Sequence, residues 1–152
     1  MLIAAQLVNS DNISHQDGAA SKKRVIEKLS QMLALNTQAT TAEKIFQALL
    51  ERERLGSTGL GKGVAIPHAR IPGITHTIAA MMTLDTPVDF DAADNKPIDI
   101  AFALLVPEDD SDYHLKQLAR LASLFRDEQA CQNIRKSKTA NEIFELLLAI
   151  DD

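Results

Sequence analysis

Apolar residues recur at helical spacing in five stretches of this chain. Val25, Ile26, Leu29, Met32 and Leu33 lie on one face of a helix from about Lys22 to Leu35, which Ser21 caps. The box Thr40-Thr41-Ala42-Glu43 opens a second helix that buries Ile45, Phe46, Leu49 and Leu50 and ends at Leu55-Gly56. Ser111 caps a third, running to about Arg126 and burying Leu115, Leu118, Ala122 and Phe125. A shorter helix spans Glu128 to Arg135. A last one starts at the box Thr139-Ala140-Asn141-Glu142 and carries Ile143, Phe144, Leu147 and Leu148.

Between the second and third helices the period changes. Val64 to Ile66, Thr77 to Leu84 and Ile98 to Val106 read as strands, and the last is apolar on both faces, as a central strand covered by helices on both sides requires. Asp85 to Pro97 reads as a polar connection punctuated by proline. Leu7 to His15 is ambiguous, with a short strand near Ile13. Two helices, then strands, then three helices predict an α/β protein: a three-layer α/β/α domain with a mixed sheet flanked by helices, one domain over 1–152.

Composition changes this picture little. A chain of 152 residues with 45% hydrophobic and 24% charged residues builds a core without a metal or disulfide. Its net charge of −5 argues against nucleic-acid binding, which needs clustered Lys and Arg. The cluster Lys22-Lys23-Arg24 reads as a solvated turn at a helix start. Cys131 is alone, so neither a disulfide nor a thiolate zinc site is expected. No secretory leader and no apolar run near 18 residues is present, which predicts a cytoplasmic protein with no direct membrane insertion.

The chemistry concentrates between Glu51 and His68. Gly56, Gly59, Gly61 and Gly63 leave backbone N–H groups unshielded, an arrangement that can form an anion nest. Val64-Ala65-Ile66 follows, then Pro67, whose missing N–H predicts that the strand stops and leaves His68 at the sheet's edge. Taken singly, a histidine after Ile-Pro is most often a structural loop residue, and glycines most often serve turns. Gly56 to Gly63 nearly fits a nucleotide-binding P-loop, but Gly63 lacks the hydroxyl that holds Mg²⁺. The loop also runs from helix to strand, the reverse of a P-loop.

The run ending in Ile66-Pro67-His68, with Pro87 to Pro107 and His114-Leu115 beyond it, resembles the fructose/mannitol-type enzyme IIA family of the bacterial phosphotransferase system, and most closely its nitrogen-regulatory branch. The likeness covers nearly the whole chain. It implies the same α/β/α fold and a phosphoryl group carried by His68. Arg52 then matches the family's active-site arginine, whose planar fork suits phosphate oxygens, with Arg54 the lesser candidate. His114 matches a second active-site histidine; Ser57 and Thr58, with Gly59, match the loop that supplies phosphate donors. Without the resemblance, Arg52 reads as a surface ion-pairing residue and His114 as an ordinary helix residue.

The family usually has glycine after the histidine, where this chain has Ala69 and then Arg70; a positive φ at Ala69 would be strained. His15 and His76 match no role. A His68–His76 metal pair lacks a third ligand, and Glu108-Asp109-Asp110 reads as a solvated set before a helix, so no metal and no cofactor are expected. The implied donor is a histidine phosphocarrier of the HPr/NPr kind, and the implied readers are regulated target proteins. The alternative is a sugar-specific enzyme IIA that passes phosphate to a IIB domain; no IIB or IIC segment is attached, which favours regulation.

Overall fold

The computed structural model describes residue 4, residues 7–109 and residues 111–150. The ambiguous N-terminal stretch resolves into a 3-10 turn at Ser10–Asn12 followed by strand β1, Ile13–Asp17. Helix α1 runs Lys22–Ala34. The Ser21 hydroxyl accepts the Arg24 N–H, as the sequence predicts. Helix α2 covers Ala42–Arg54, but its cap is Thr41 and not Thr40. Thr41 Oγ1 accepts the Lys44 N–H, which leaves Glu43 one position too early to close the expected box.

Next come four short and long strands around the glycine loop: β2 (Gly59–Gly61), β3 (Val64–Ala65), β4 (His68–Arg70) and β5 (Ile78–Val88). Strand β5 continues past the predicted end at Leu84. Asp85, Thr86 and Pro87 stay in the strand, exposed, because the register with its neighbour shifts between Thr83 and Val88. Such an irregularity tolerates a proline that donates nothing to the ladder. The polar connection therefore begins at Asp89. Strand β6 is Ile98–Val106, as predicted.

The sheet is mixed, in the order β1-β5-β6-β3-β2, with β4 also paired to β6. Strand β6 runs antiparallel to β5 and parallel to β3 and β4, while β1 runs parallel to β5. Alternation along the strands splits the core in two. Ala80, Met82, Ala101, Ala103 and Leu105 pack under Val25, Ile26, Leu29, Ile45 and Leu49 of α1 and α2. Ala79, Met81, Ile100, Phe102 and Leu104 face the other way.

Three helices cover that second face: α3 (Ser111–Phe125), α4 (Glu128–Lys136) and α5 (Ala140–Ile150). Leu121, Phe125, Ile134, Ile143 and Leu147 are buried there, and the Phe102 and Phe125 rings lie 5.6 Å apart. The result is the α/β/α sandwich expected.

Helix α3 corrects the sequence reading at two points. Ser111 is its first helical residue and not its cap; Asp110, the residue before it, lies outside the described residues. Its buried phase is His114, Gln117, Leu121 and Phe125, so Leu115 is 59% exposed. Two polar residues in the buried stripe hid its phase.

Candidate functional site

Strands β3 and β4 pair with β6 in a single register, Ala65 opposite Ala101 and His68 opposite Leu104. Pro67 interrupts this line without ending it. The Leu104 N–H donates to the Pro67 carbonyl at 2.9 Å, and the ladder resumes at once. Strand β3 thus stops before Pro67, as the sequence predicts, and His68 opens a further strand on the same register, with β6 as the one partner of β4 among the described residues, an edge position. Alternation puts His68 on the face of Ile66 and Leu104, the side covered by α3 to α5.

The His68 ring is partly buried, and its Nδ1 lies 2.9 Å from the Ile66 carbonyl oxygen. A carbonyl only accepts, so Nδ1 carries the proton and donates it. In the neutral ring Nε2 then holds the lone pair. Burial pushes the His68 pKa below its usual 6.5; the Ile66 carbonyl works against this, Arg52 and Arg70 reinforce it, and Glu53 opposes it. The neutral, nucleophilic form is therefore favoured at neutral pH.

Behind Ile66 stands a ladder of partners. The Ile66 N–H donates to the Thr58 carbonyl at 3.0 Å. Thr58 is buried, and both its N–H, at 3.2 Å, and its hydroxyl donate to the Glu53 carboxylate. Glu53 is only 8% exposed and is paired with Lys22 Nζ at 3.0 Å. Lys22 also donates to the Phe90 carbonyl, at 3.2 Å, and lies 4.8 Å from the centre of the Phe90 ring. It is not the solvated lysine its place in the sequence implied. The Ser57 hydroxyl donates to the same Phe90 carbonyl, at 2.7 Å, and accepts the Gly59 N–H at 3.0 Å. Gly59 must be glycine, since a Cβ there would lie 2.7 Å from that of Ala92.

Arg52 lies in the last turn of α2 beside Glu53, and its guanidinium donates to the Gly56 carbonyl at 2.8 Å while its charge acts on His68. Arg54 is exposed. Ala69 is a buried strand residue in extended conformation, so the alanine after the histidine carries no positive-φ strain, and Arg70 follows it, exposed. The loop runs from α2 into a β2–β3 hairpin, so its path is not that of a P-loop.

His114 is buried, 6% exposed, and lines a cavity of about 420 Å³ with Thr75, His76, Thr77, Tyr113 and Gln117. Its Nε2 donates to the Asp109 carbonyl at 3.0 Å, and its Nδ1 is buried without a partner. Neither nitrogen bonds His68. His114 lies on α3, which covers the sheet face that carries His68, and lines this recess together with Pro107 just past the end of β6. His76, which the sequence left without a role, lines the same recess. His15 lies apart, its Nε2 donating to the Ser137 carbonyl at 2.6 Å. No group of three or more metal-ligating side chains occurs among the described residues, and no helix among them is long and apolar enough to cross a membrane.

The sequence names Arg52, Ser57, Thr58, Gly59, His68 and His114 as candidates but not Glu53 and Lys22, which the structure ties to the same loop. The signal was available. Glu53 continues the apolar stripe Ile45–Leu49 at i+4, and Lys22 precedes Ile26 by one turn, so each charge sits in a buried phase.

The sequence model for the enzyme described as "Phosphoenolpyruvate-dependent sugar phosphotransferase system, EIIA 2" matches residues 6–150. A nitrogen regulatory protein of Pseudomonas aeruginosa is 39% identical over 132 residues, covering 87% of this chain and 86% of that protein. The crystal structure of the nitrogen regulatory protein IIA-Ntr of Neisseria meningitidis superposes with a TM-score of 0.89 at 35% identity, covering 94% of this chain and 97% of that one. The fructose-specific EIIA component of Haloferax volcanii is 28% identical, covering 91% of this chain and 90% of that protein. With its α/β/α sandwich and its Ile-Pro-His segment between two strands, this chain belongs to the EIIA type-2 family of the phosphoenolpyruvate-dependent sugar phosphotransferase system.

Proposed function

We propose that the chain is a phosphohistidine carrier of the phosphotransferase system whose phosphorylation state regulates other proteins. The observation that carries this reading is the Nδ1–H bond of His68 to the Ile66 carbonyl, which leaves Nε2 as the nucleophile. Nε2 attacks the phosphorus of a phosphohistidine on a small carrier protein of the HPr/NPr kind. The donor's P–N bond breaks, and its imidazole departs with the electron pair. Each ring keeps its own N–H, so the newly phosphorylated His68 ring is cationic, a charge that the Ile66 carbonyl and Glu53 favour.

Such a transfer passes through a loose, metaphosphate-like state, so the surroundings act by positioning and by neutralising charge. Arg52 supplies the cation beside His68, its hydrogen bond to Gly56 being one that its remaining donors do not need. His114 supplies a second imidazole on the same side of the sheet. Ser57 and Gly59 face the phosphate as a loop whose shape is set by the bonds of the Ser57 hydroxyl to the Phe90 carbonyl and of the Gly59 N–H to Ser57 Oγ, and Thr58, both of whose donors are engaged by Glu53, serves through that carboxylate. The likeness to nitrogen regulatory proteins at 39% identity, against 28% for a fructose-specific component, supports regulation over sugar transport.

The test is phosphate incorporation from phosphoenolpyruvate through enzyme I and the carrier protein. His68→Ala is expected to eliminate it, and His15→Ala and His76→Ala to retain it. Undiminished acid-labile phosphate on His68→Ala refutes the site. Supplied with fructose- or mannitol-type IIB and membrane components, the wild type is expected to form no sugar phosphate; accumulation of sugar phosphate assigns the chain to transport.

A further inference from the structure

The buried ion pair behind the histidine enters the transfer as described only through the charge of Glu53, yet it is built with more partners than a distant charge needs. Glu53 and Thr58 are both more than nine-tenths buried, and removing two such groups from water is unfavourable unless every polar atom is matched. Here they are matched: Glu53 accepts two donors from Thr58 and the ammonium of Lys22, and Lys22 holds the Phe90 carbonyl as well. An apolar trio would fill this volume at less risk, so the network's value lies in what it holds in place.

What it holds is the peptide that orients His68. Glu53 fixes the Thr58 peptide, the Thr58 carbonyl accepts the Ile66 N–H, and the Ile66 carbonyl accepts Nδ1–H of His68. Pro67 makes this route important. The Ile66–Pro67 amide has no N–H, so the Ile66 carbonyl cannot be fixed from its own peptide and is set by the Ile66 N–H on one side and by the Pro67 carbonyl bond to Leu104 on the other. The loop contributes the first of these anchors, and Glu53 anchors the loop.

We propose that Glu53, held by Lys22, is a positioning residue for the phosphoryl-accepting histidine, acting through Thr58 and Ile66 to fix the ring's orientation and its Nδ1–H tautomer. Glu53 touches neither the phosphoryl group nor the carrier. A carboxylate suits the place because its two oxygens accept the Thr58 N–H, the Thr58 hydroxyl and the Lys22 ammonium together; glutamine would turn an NH₂ toward the ammonium, and aspartate is one methylene short. The inference rests on the phosphocarrier reading for its kinetic consequence but not for its structural one.

Two variants, Glu53→Gln and Thr58→Val, test it with two readouts. In steady-state transfer from the phosphorylated carrier protein, each is expected to lower kcat about tenfold or more, at the lower end of what losing an outer hydrogen-bond partner costs at other histidine sites, with KM for the carrier unchanged. In ¹⁵N spectra of the unphosphorylated protein, the His68 signals of the wild type report Nδ1–H and an unprotonated Nε2, and both variants move them toward the averaged values of a freely exchanging ring. The spectra need no turnover, so they judge the positioning claim even if His68 proves not to be the phosphorylated residue. Should Glu53→Gln not fold, Thr58→Val carries the test, since it keeps the shape and removes only a hydroxyl. Folded variants with wild-type kcat and an unchanged tautomer overturn the proposal, and so does a rise in KM at constant kcat.

Discussion

Gly63→Ala tests how the glycine loop is locked to the sheet. Gly63 has φ +84°, in the left-handed region, and its carbonyl accepts N–H bonds from both Asp99, at 2.9 Å, and Ile100, at 3.1 Å. A Cβ built there would lie 2.6 Å from Arg135 Nη2 and 3.0 Å from Asp99 Oδ1. Left-handed backbone costs a side-chain-bearing residue roughly 1–2 kcal/mol. Arg135 must also swing away, loosening its two 2.9 Å bonds to Asp99 and its bond to the Lys62 carbonyl; with both partners partly exposed this costs about 1 kcal/mol. Restricting the unfolded chain returns about 0.4–1 kcal/mol, so a net loss of about 2 kcal/mol is expected. For a chain of this size that is a fall in Tm of about 4–8 °C. Urea titration and thermal unfolding of the wild type, Gly63→Ala, Arg135→Ala and the double variant separate the two costs. In the Arg135→Ala background only the backbone strain remains, so the penalty should drop by about 1 kcal/mol. A Gly63→Ala protein as stable as wild type, or a penalty indifferent to Arg135, refutes the reasoning.

Three further outcomes follow from the same coordinates. Followed by NMR, His68 is expected to titrate below 6.5, because burial disfavours its cation. The unfolded chain then binds that proton first as the pH falls, so this residue's contribution to stability is complete above about pH 6.5 and declines from there toward the lowered folded value; His68→Ala should remove that slope, and a midpoint at or above 6.5 contradicts it. Arg52→Ala and His114→Ala are expected to fold and to slow phosphoryl exchange by roughly 10²-fold, measured by rapid quench; wild-type rates would make them surface and core residues only. Phe102→Ala, at the centre of β6 with its ring against Phe125, is expected to lose roughly 3–5 kcal/mol in urea unfolding, because the flanking strands cannot close the cavity.

Most of the fold was legible because the helices declared themselves by period, while of the caps Ser21 and Thr139 stood where the sequence put them and those of α2 and α3 did not. The α1 cap at Ser21 and the full extent of β6 follow directly from the sequence. What was not legible lay where polar residues occupy buried phases. His114 and Gln117 form part of the inward face of α3, so a reading that counted only apolar residues turned that helix toward Leu115. Strand β5 ran four residues past its predicted end because a proline marks a stop only where the ladder needs its N–H, and at an irregularity it does not. Pro67 does mark the end of β3, but its carbonyl still accepts from Leu104, so the same line resumes at His68 as β4, which the sequence did not predict.

The site shows the same division with a clearer cause. The candidates His68, Arg52 and the Ser57–Gly59 loop are adjacent in sequence to the strand or helix end that presents them, so a local motif suffices to propose them. Lys22 and Glu53 lie 31 positions apart and meet only because α1 and α2 pack side by side on one face of the sheet. The chemistry explains why so long-range a pair belongs to so local a motif. A carrier histidine must give up the phosphoryl group as readily as it accepts it, so its surroundings cannot stabilise either state strongly. Arg52 and Arg70 act against the ring's cation, whereas Glu53 and the Ile66 carbonyl favour it. On the proposed phosphocarrier reading, opposed influences of this kind leave a neutral nucleophile before transfer and tolerate a cationic phosphoimidazole after it. A buried carboxylate balanced by its own lysine contributes to that poise without adding net charge beside the incoming phosphate.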